Sequence, residues 1–424
     1  MIIFIINKQN IVEANMKKIV SLLLALVMLI SISVVYAEDI TLTMGSWNIE
    51  DTDKIQKVFD KYYDISGVKI KFEGTQATQY NANLRLQLDN GTGPDLWYSR
   101  SYKTGQELFD AGFAMDLTDL KGIQENFSES AKEAWRTDDG KMFAVPYAAV
   151  NHEVFYNTRI FEEQGLKVPT TFEQFIEVCQ KLKDAGITPL ANGIKSKWDV
   201  LECVFLGMLP NYVGGAENRV KYESLEKKMN DEVFKQAITD FGKLGQFLPE
   251  GFEAIENGDS KALFGTGQAA MFIDGSWTVD QISEQFGLDT FSAFAIPAPE
   301  KNKQGMCFHA DFGMAGNTAT KHPEEVKAFL EWIASPEGVK IAVDALPGGY
   351  FPMINAEITM NDERANEILS LNNNAVTDVR FIWPKLLNAY TNMQDNLISL
   401  WLGEENVDQV ADAFASAQED ALKK

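Results

Sequence analysis

Histidines, cysteines and carboxylates are the side chains that could do chemistry in this 424-residue chain. The three histidines, His152, His309 and His322, are far apart in sequence, and their spacing is not that of a metal site. The chain has no G-x-S-x-G motif, no H-E-x-x-H motif and no phosphate-binding loop ending in Gly-Lys-Ser/Thr. We therefore predict no catalytic residue, no metal and no cofactor.

Carboxylates leave one enzymatic alternative open. The chain contains 61 aspartates and glutamates, and a glycosidase needs only two of them at a suitable separation. No pattern in the sequence singles out such a pair. A secreted glycoside-acting enzyme therefore remains an alternative.

Charge and cysteine content exclude other classes of protein. The net charge is −23, and an acidic surface repels nucleic acid and anionic lipid, so we exclude both as partners. Three cysteines, Cys179, Cys203 and Cys307, are too few and odd in number for a disulfide framework, although a Cys179–Cys203 bridge stays open.

The N-terminal segment has the pattern of a secretory signal. Met16, Lys17 and Lys18 precede an apolar run over residues 19–32, and small residues precede a cleavage site after Ala37. We expect residues 1–37 to be removed and Met16 to be the true start. No cysteine lies here to carry a lipid, so the mature protein is predicted to be exported without lipid attachment.

Strands and helices alternate in the residues that follow. Alternating polarity and helical periodicity predict strands over 39–44, 68–72 and 95–98, with helices from Asp51 or Thr52 and over 80–89. This order is typical of a parallel sheet with crossover helices, which binds ligands beyond the carboxyl ends of its strands. Trp47 lies at one such end, and Ser99 and Arg100 lie at the next.

The remaining chain also predicts an α/β fold with two domains. Asp139-Gly140 is a hairpin turn signal, and helices are predicted over 173–185, 231–244 and 324–334. A chain of this length exceeds one ordinary core, and it contains no long linker. We therefore expect two lobes between which the chain crosses more than once.

A series of motifs resembles the extracellular solute-binding proteins of family 1, which include the maltose-binding proteins. The motifs, which cover the chain after the signal, are GTGPDLWYS (91–99), YNTRIFEEQGL (156–166), VPTTFEQF (168–175), GITPLANG (186–193), FGTGQAAMFIDGSW (264–277) and HPEEVKAFLEWIASPEG (322–338). Their order and spacing together are specific, although each motif alone is weak.

This resemblance implies the type II-like two-lobe fold of periplasmic binding proteins, with crossings near Val150, His309 and Asn355. One lobe would be residues 38–149 plus 311–354, and the other 151–310 plus 355–424. The protein would be a monomeric receptor outside the cytoplasm that delivers a solute to an ABC permease and its ATPase.

The resemblance also suggests a sugar as the ligand, with an oligosaccharide favoured. Trp277 matches the family tryptophan that stacks on sugar, because aromatic rings pack on sugar C–H faces while polar groups bind the hydroxyls. The full candidate set is Trp47, Glu50, Ser99, Arg100, Asn151, Trp198, Asp199, Trp277, His309, Asp311, Tyr350 and Trp383. A polyamine, a glycerophosphodiester or chelated iron remains an alternative ligand.

Overall fold

The computed structural model describes residues 40–343, 346, 348–356, 359, 360 and 362–423. The predicted signal segment lies outside these residues. In the part of the chain so described, no helix is both long and apolar enough to cross a membrane.

Among the described residues, ten strands lie in one continuous sheet whose central order is β2-β1-β3-β8-β4-β6-β5. The strands are β1 Thr41–Ser46, β2 Lys69–Gly74, β3 Leu96–Arg100, β4 Val145–Asn157, β5 Thr188–Leu190, β6 Ala269–Gly275, β7 Phe291–Ala295, β8 Gly305–Gly316, β9 Phe351–Pro352 and β10 Val376–Asp378. As predicted, β1 pairs in parallel with both β2 and β3.

Helices cover the faces of this sheet. They are α1 Thr52–Ser66, α2 Ala77–Asp89, α3 Tyr102–Asp110, α4 Ile123–Asn126, α5 Glu129–Glu133, α6 Thr158–Glu163, α7 Phe172–Asp184, α8 Leu206–Met208, α9 Pro210–Val213, α10 Ala216–Glu223, α11 Glu232–Leu244, α12 Asn257–Gly265, α13 Thr278–Phe286, α14 Pro323–Ile333, α15 Pro336–Val343, α16 Glu363–Ser370, α17 Tyr390–Leu402 and α18 Val407–Leu422. A π-helical segment, Val200–Phe205, runs directly into α8, and short 3-10 turns lie at Gly245–Phe247, Phe252–Ala254, Leu371–Asn374 and Leu387–Ala389.

Helix α1 illustrates how the sequence determines these elements. Its buried face is Ile55, Val58, Phe59 and Tyr62, which is the helical spacing that predicted it. Gly67 ends the helix in the left-handed conformation, with φ of 73°, and its amide donates to the Tyr63 carbonyl. A residue with a Cβ is strained at this φ, which is why glycine closes the helix.

Two long antiparallel strands, β4 and β8, pass through the middle of the molecule. Val150 of β4 lies opposite His309 of β8. The C-terminal part of β4 pairs with β6 and β7, whereas the C-terminal part of β8 pairs with β3. Each strand therefore runs between the two ends of the sheet. The division of the chain into two lobes at the bounds given above stays a prediction.

The buried apolar side chains form two clusters. One surrounds β1, β3 and α14 and extends to Phe155 and Phe272 of the central strands. The other lies around α7, α11 and the C-terminal helices α17 and α18. All three cysteines are buried and free, so the Cys179–Cys203 bridge left open by the sequence does not form.

Candidate functional site

Trp47 and Arg100 lie together where β1 and β3 end. The Arg100 guanidinium carbon lies 3.5 Å from the centre of the Trp47 ring, a cation–π contact. Tyr80, Tyr98 and Phe312 pack against Trp47 with their rings turned at steep angles to it. Trp47 is therefore only 7% exposed, and Arg100 covers one face of its indole ring.

Polar side chains also lie in the segment that follows β1. Asn48 is buried and donates to the Tyr350 hydroxyl at 3.2 Å. Burial raises the pKa of Asp51 to about 7, against the opposing effect of Lys54. Glu50 is exposed, so the structure does not bring it together with the other candidates.

A row of rings lies at the other side of the predicted cleft. His152 and His309 stack with centroids 5.3 Å apart, Trp277 lies 5.5 Å from His152, and Trp383 lies 5.5 Å from His309. Trp198 continues the row 6.1 Å from Trp277. Trp198 and Trp277 are half-buried, whereas Trp383 and both histidines are buried, so two of the rings offer an accessible face.

Arg380 holds this row together from the C-terminal segment. Its guanidinium forms an ion pair with Glu202, and its Nε donates to His152 Nε2 at 3.2 Å. The guanidinium carbon lies 4.6 Å from the Trp383 ring centre. Glu202 also accepts a hydrogen bond from the Tyr390 hydroxyl at 2.6 Å. These contacts satisfy a guanidinium that is only 2% exposed.

The electrostatics of the cleft keep both histidines neutral. Burial lowers the pKa of His152 and of His309 well below the usual value, and the positive charge of Arg380 adds to the effect. Burial raises the pKa of Asp311, while Arg100 and Arg380 lower it. Asp311 therefore lies within electrostatic reach of guanidinium groups from both sides of the cleft.

Several ring nitrogens in this row are buried without a hydrogen-bond partner among the described residues. They are His152 Nδ1, His309 Nε2 and Trp383 Nε1. The other ring nitrogen of His309, Nδ1, lies 3.1 Å from the Ala310 carbonyl oxygen, within hydrogen-bond distance. Buried polar atoms are almost always paired, so these three nitrogens have hydrogen-bonding capacity left for a ligand or an ordered water.

Asp199 lies in a separate buried network. Asn257 donates to Asp199 at 3.3 Å and to Asp274 at 3.4 Å, and Thr278 donates to Asp274 at 2.7 Å. Burial and the neighbouring charge of Asp274 raise the pKa of Asp199 to about 7. This network joins β6, α12 and the start of the π-helical segment, which gives Asp199 a structural role.

Asn151 and Ser99 also have their polar groups occupied. Asn151 Nδ2 donates to the Ile368 carbonyl at 3.1 Å, and its Oδ1 accepts from Asn372 at 2.9 Å. Ser99 Oγ donates to the Arg100 carbonyl at 3.1 Å. Both side chains are buried, and they anchor the strands that carry the other candidates.

The sequence candidates thus fall into three groups. Trp47, Arg100, Asp311 and Tyr350 lie together at one wall of the predicted cleft, and Trp198, Trp277, His309 and Trp383 form the ring row at the other. Glu50, Ser99, Asn151 and Asp199 lie outside these walls. Direct ligand contact by any of the twelve residues stays a prediction.

Sequence reasoning missed Arg380, Glu202 and His152. The one signal for Arg380 was a lone arginine in the apolar stretch Val379–Trp383, because a charge there must be buried with a partner. Glu202 and His152 gave no signal of their own.

The fold defines the class of protein: a two-lobed α/β protein of the solute-binding type. The chain belongs to the bacterial extracellular solute-binding protein family, whose model matches residues 46–340. This match confirms the resemblance found in the sequence.

The chain is also similar to individual members of this class. The multiple sugar-binding protein of Streptococcus mutans is 22% identical over 86% of this chain and 87% of the relative. The diacetylchitobiose binding protein DasA of Streptomyces coelicolor is 27% identical over 69% of this chain and 68% of the relative.

Solved structures confirm the predicted two-lobe fold. RafE in complex with raffinose superposes with a TM-score of 0.77 at 20% identity, covering 91% of this chain and 100% of that structure. A chitin oligosaccharide binding protein superposes with a TM-score of 0.76 at 20% identity, covering 91% of this chain and 100% of that structure.

Proposed function

We propose that this protein is the extracytoplasmic receptor of an ABC importer and that it binds a carbohydrate between its lobes. The observation that carries the proposal is the ring row from Trp198 to Trp383 with its three unpaired nitrogens. Half-buried indoles suit the C–H faces of a sugar, and ring nitrogens suit its hydroxyl groups. The sugar-binding relatives support the same ligand class.

Binding would act by shifting the population from an open to a closed form. A ligand that touches Arg100 and Asp311 on one wall and Trp277 on the other contacts all three only when the lobes are closed. It therefore favours closure by the difference between its affinities for the two forms. The closed form would then dock on the permease, with no bond made or broken in the solute.

The remaining parts of the proposal follow from the family. After export, the receptor would act outside the cytoplasm as a monomer. It would dock on the permease in the membrane, to which the ATPase is bound. The rings and neutral histidines of the cleft favour a binding role over catalysis. A glycosidase instead needs an acid and a base that flank one glycosidic bond.

A phosphodiester solute is the second candidate. Arg100 is half-buried, and among the described residues its guanidinium has electrostatic but no hydrogen-bonded contact with a carboxylate. Guanidinium groups bind phosphate well, and the sn-glycerol-3-phosphate-binding protein UgpB of Rhizobium meliloti is 25% identical over 57% of this chain. Arg100 and Arg380, the two guanidinium groups near Asp311, disfavour a polyamine, which needs a cleft dominated by carboxylates.

Thermal unfolding with a panel of solutes tests this proposal. The mature chain from Glu38 would be heated with mono- and oligosaccharides, glycerophosphocholine, spermidine and iron citrate. A ligand at about 100 times its Kd adds roughly 2.7 kcal/mol, which raises Tm by several degrees.

Stabilisation by one sugar class, with the sugar recovered intact, is the expected result. Stabilisation by glycerophosphocholine alone would replace the sugar by a phosphodiester. A sugar that is cleaved during the assay would overturn the binding role in favour of an enzyme.

A further inference from the structure

The hydrogen bond between Arg380 and His152 fixes where the His152 ring carries its proton. Arg380 Nε lies 3.2 Å from His152 Nε2. A guanidinium has only N–H donors and does not lose a proton in proteins, so His152 Nε2 is the acceptor. The ring is neutral, because burial lowers the pKa of His152 well below its usual value and the charge of Arg380 lowers it further. Its single proton is therefore on Nδ1, which has no hydrogen-bond partner among the described residues.

The backbone fixes the proton of His309 by a similar contact. His309 Nδ1 lies 3.1 Å from the Ala310 carbonyl oxygen, which can only accept a hydrogen bond. This ring is also neutral, because burial lowers the pKa of His309 well below its usual value. Its proton is therefore on Nδ1, and the nitrogen without a proton is Nε2. In the part of the chain that the structure describes, His309 Nε2 is buried and has no partner.

The two rings are thus the same tautomer, but their unpaired nitrogens have opposite hydrogen-bonding character. The ring planes lie within 14° of each other, with centroids 5.3 Å apart. His152 offers an N–H donor and His309 offers a lone pair. Trp383, whose ring lies 5.5 Å from His309, offers a second donor through Nε1. All three residues are no more than 8% exposed, so a group bound to them here would be shielded from water and would have to satisfy donors and acceptor together.

Hydroxyl groups fit this set of atoms, because a hydroxyl both donates and accepts. A phosphodiester group only accepts, so it would leave the lone pair of His309 Nε2 unpaired beside an anion. An ammonium group only donates, so it would leave the N–H groups of His152 and Trp383 unpaired. Arg380 does not reverse this preference in favour of a phosphate, since its guanidinium already forms an ion pair with Glu202.

We propose that Arg380 and the Ala310 carbonyl hold both histidines in the Nδ1–H tautomer, and that the ring row thereby selects neutral hydroxyl groups over phosphodiester and ammonium groups. Arg380 is a positioning residue in this proposal, because it acts on the solute through His152. The inference rests on the proposed function and adds the chemistry by which the cleft would choose among its candidate solutes.

Nitrogen-15 NMR of the histidine rings in the ligand-free mature chain tests the tautomers. The chain has three histidines, and the variants His309→Phe and His322→Phe assign their signals, since His322 precedes α14 and lies outside the row. We expect His152 and His309 each to show a protonated Nδ1 and an unprotonated Nε2 at pH 7. An Nε2–H tautomer or a cationic ring at either position would overturn the inference and leave the proposed function intact.

Adding solutes to the same sample tests the selection. The probes are the saccharide that raises Tm most in the thermal panel, glycerophosphocholine and spermidine. We expect the saccharide to shift the resonances of His152 Nδ1, His309 Nε2 and Trp383 Nε1, and the two charged probes at equal concentration to leave them in place. A saccharide that binds without shifting them would mean that these nitrogens hold ordered water only, and shifts caused by either charged probe would reverse the selection. Both results overturn the inference, whereas a panel in which no saccharide raises Tm overturns the proposed function with it.

His309→Phe tests the acceptor by calorimetry, because it keeps a ring in the stack and removes Nε2. A ligand hydroxyl left without its acceptor should raise the saccharide Kd at least about fivefold. The matched control His322→Phe should stay within about twofold of the wild type. A Kd in His309→Phe equal to that of the control would show that Nε2 binds no hydroxyl of the solute. The NMR shifts of the wild-type protein decide the same question without any substitution, so the test does not depend on the folding of His309→Phe.

Discussion

The Lys54 ammonium lies 2.6 Å from Asp280 Oδ2 and thereby joins α1 to α13. It also lies 2.7 Å from Glu284 Oε1. Asp280 Oδ2 accepts in addition from the Gly348 amide at 2.6 Å. Since α1 belongs to the first predicted lobe and α13 to the second, Asp280 binds two segments of the opposite lobe in the form observed here.

Asp280→Asn should therefore favour the open form. The substitution removes a partly buried ion pair, which contributes roughly 1 kcal/mol, and we expect about fivefold weaker ligand binding. The measurement is the Kd by calorimetry together with the radius of gyration of the ligand-free protein from small-angle scattering. Glu300→Gln, in an exposed pair with Lys303, is the control and should change neither. An unchanged Kd and radius in Asp280→Asn would show that this pair does not govern closure.

Trp277→Ala should weaken saccharide binding without unfolding the protein. Trp277 is half-buried in the ring row, so its loss removes stacking area at a cost of roughly 2 kcal/mol, or about 30-fold in Kd. Trp332→Ala is the matched control, because Trp332 is also half-buried but packs on Tyr62 at 4.9 Å and takes no part in the ring row. The control should lose stability and keep its affinity. Equal affinity losses in the two variants would contradict a stacking role for Trp277.

Arg380→Met should destabilise the fold strongly. It leaves Glu202, whose side chain is 13% exposed, without its cation, and breaking a largely buried pair costs roughly 3 kcal/mol. Chemical denaturation measures the free energy of unfolding. Lys303→Met breaks the exposed pair with Glu300 and should change that free energy by less than about 0.5 kcal/mol. Similar losses in both variants would mean that the pair with Glu202 is solvent-screened.

Stability should fall as the pH rises from 4 to 8. Burial raises the pKa of Asp199 from 3.8 to about 7 in the folded protein, so the folded state binds this proton more tightly than the unfolded state. Between these two pKa values the unfolded state has already lost the proton, and stability decreases with pH. The full loss from this one group is roughly 4 kcal/mol, reached above pH 7.

Asp199→Asn should remove this share of the pH dependence, as measured by Tm from pH 4 to pH 8. Asp51, whose pKa burial also raises to about 7, should leave part of the slope in place. Asp289→Asn is the control, because Asp289 is exposed. A slope identical in the wild type and Asp199→Asn would show that Asp199 is hydrated in solution.

Local pattern accounted for most of the elements. The spacing of Ile55, Val58, Phe59 and Tyr62, with Gly67 after them, predicted α1 to within a turn. The same holds for α7 and α14, because an amphipathic face and a start or stop residue are both local signals. The ends of β1 and β3 were also close enough to place Trp47 and Arg100 at one edge of the sheet.

Contacts between distant segments could not be predicted in this way. Arg380 meets Glu202 and His152 only because the C-terminal segment packs back on the central strands, and no local pattern encodes that return. The predicted strand ends placed Trp47 and Arg100 at one edge of the sheet, but they did not predict the cation–π contact between the two side chains. Asn151 lies beside the predicted crossing at Val150, but its amide bonds Ile368 and Asn372, which lie more than 200 residues away in the sequence.

A crystal structure of the mature protein with the saccharide that stabilises it most tests the central claim directly. The account predicts an intact saccharide enclosed between the lobes, with a sugar ring on Trp277, hydroxyl groups on the ring nitrogens of His309 and Trp383, and Arg100 moved off Trp47 or bonded to the ligand. A saccharide bound away from both walls, or cleaved between two carboxylates, would contradict it.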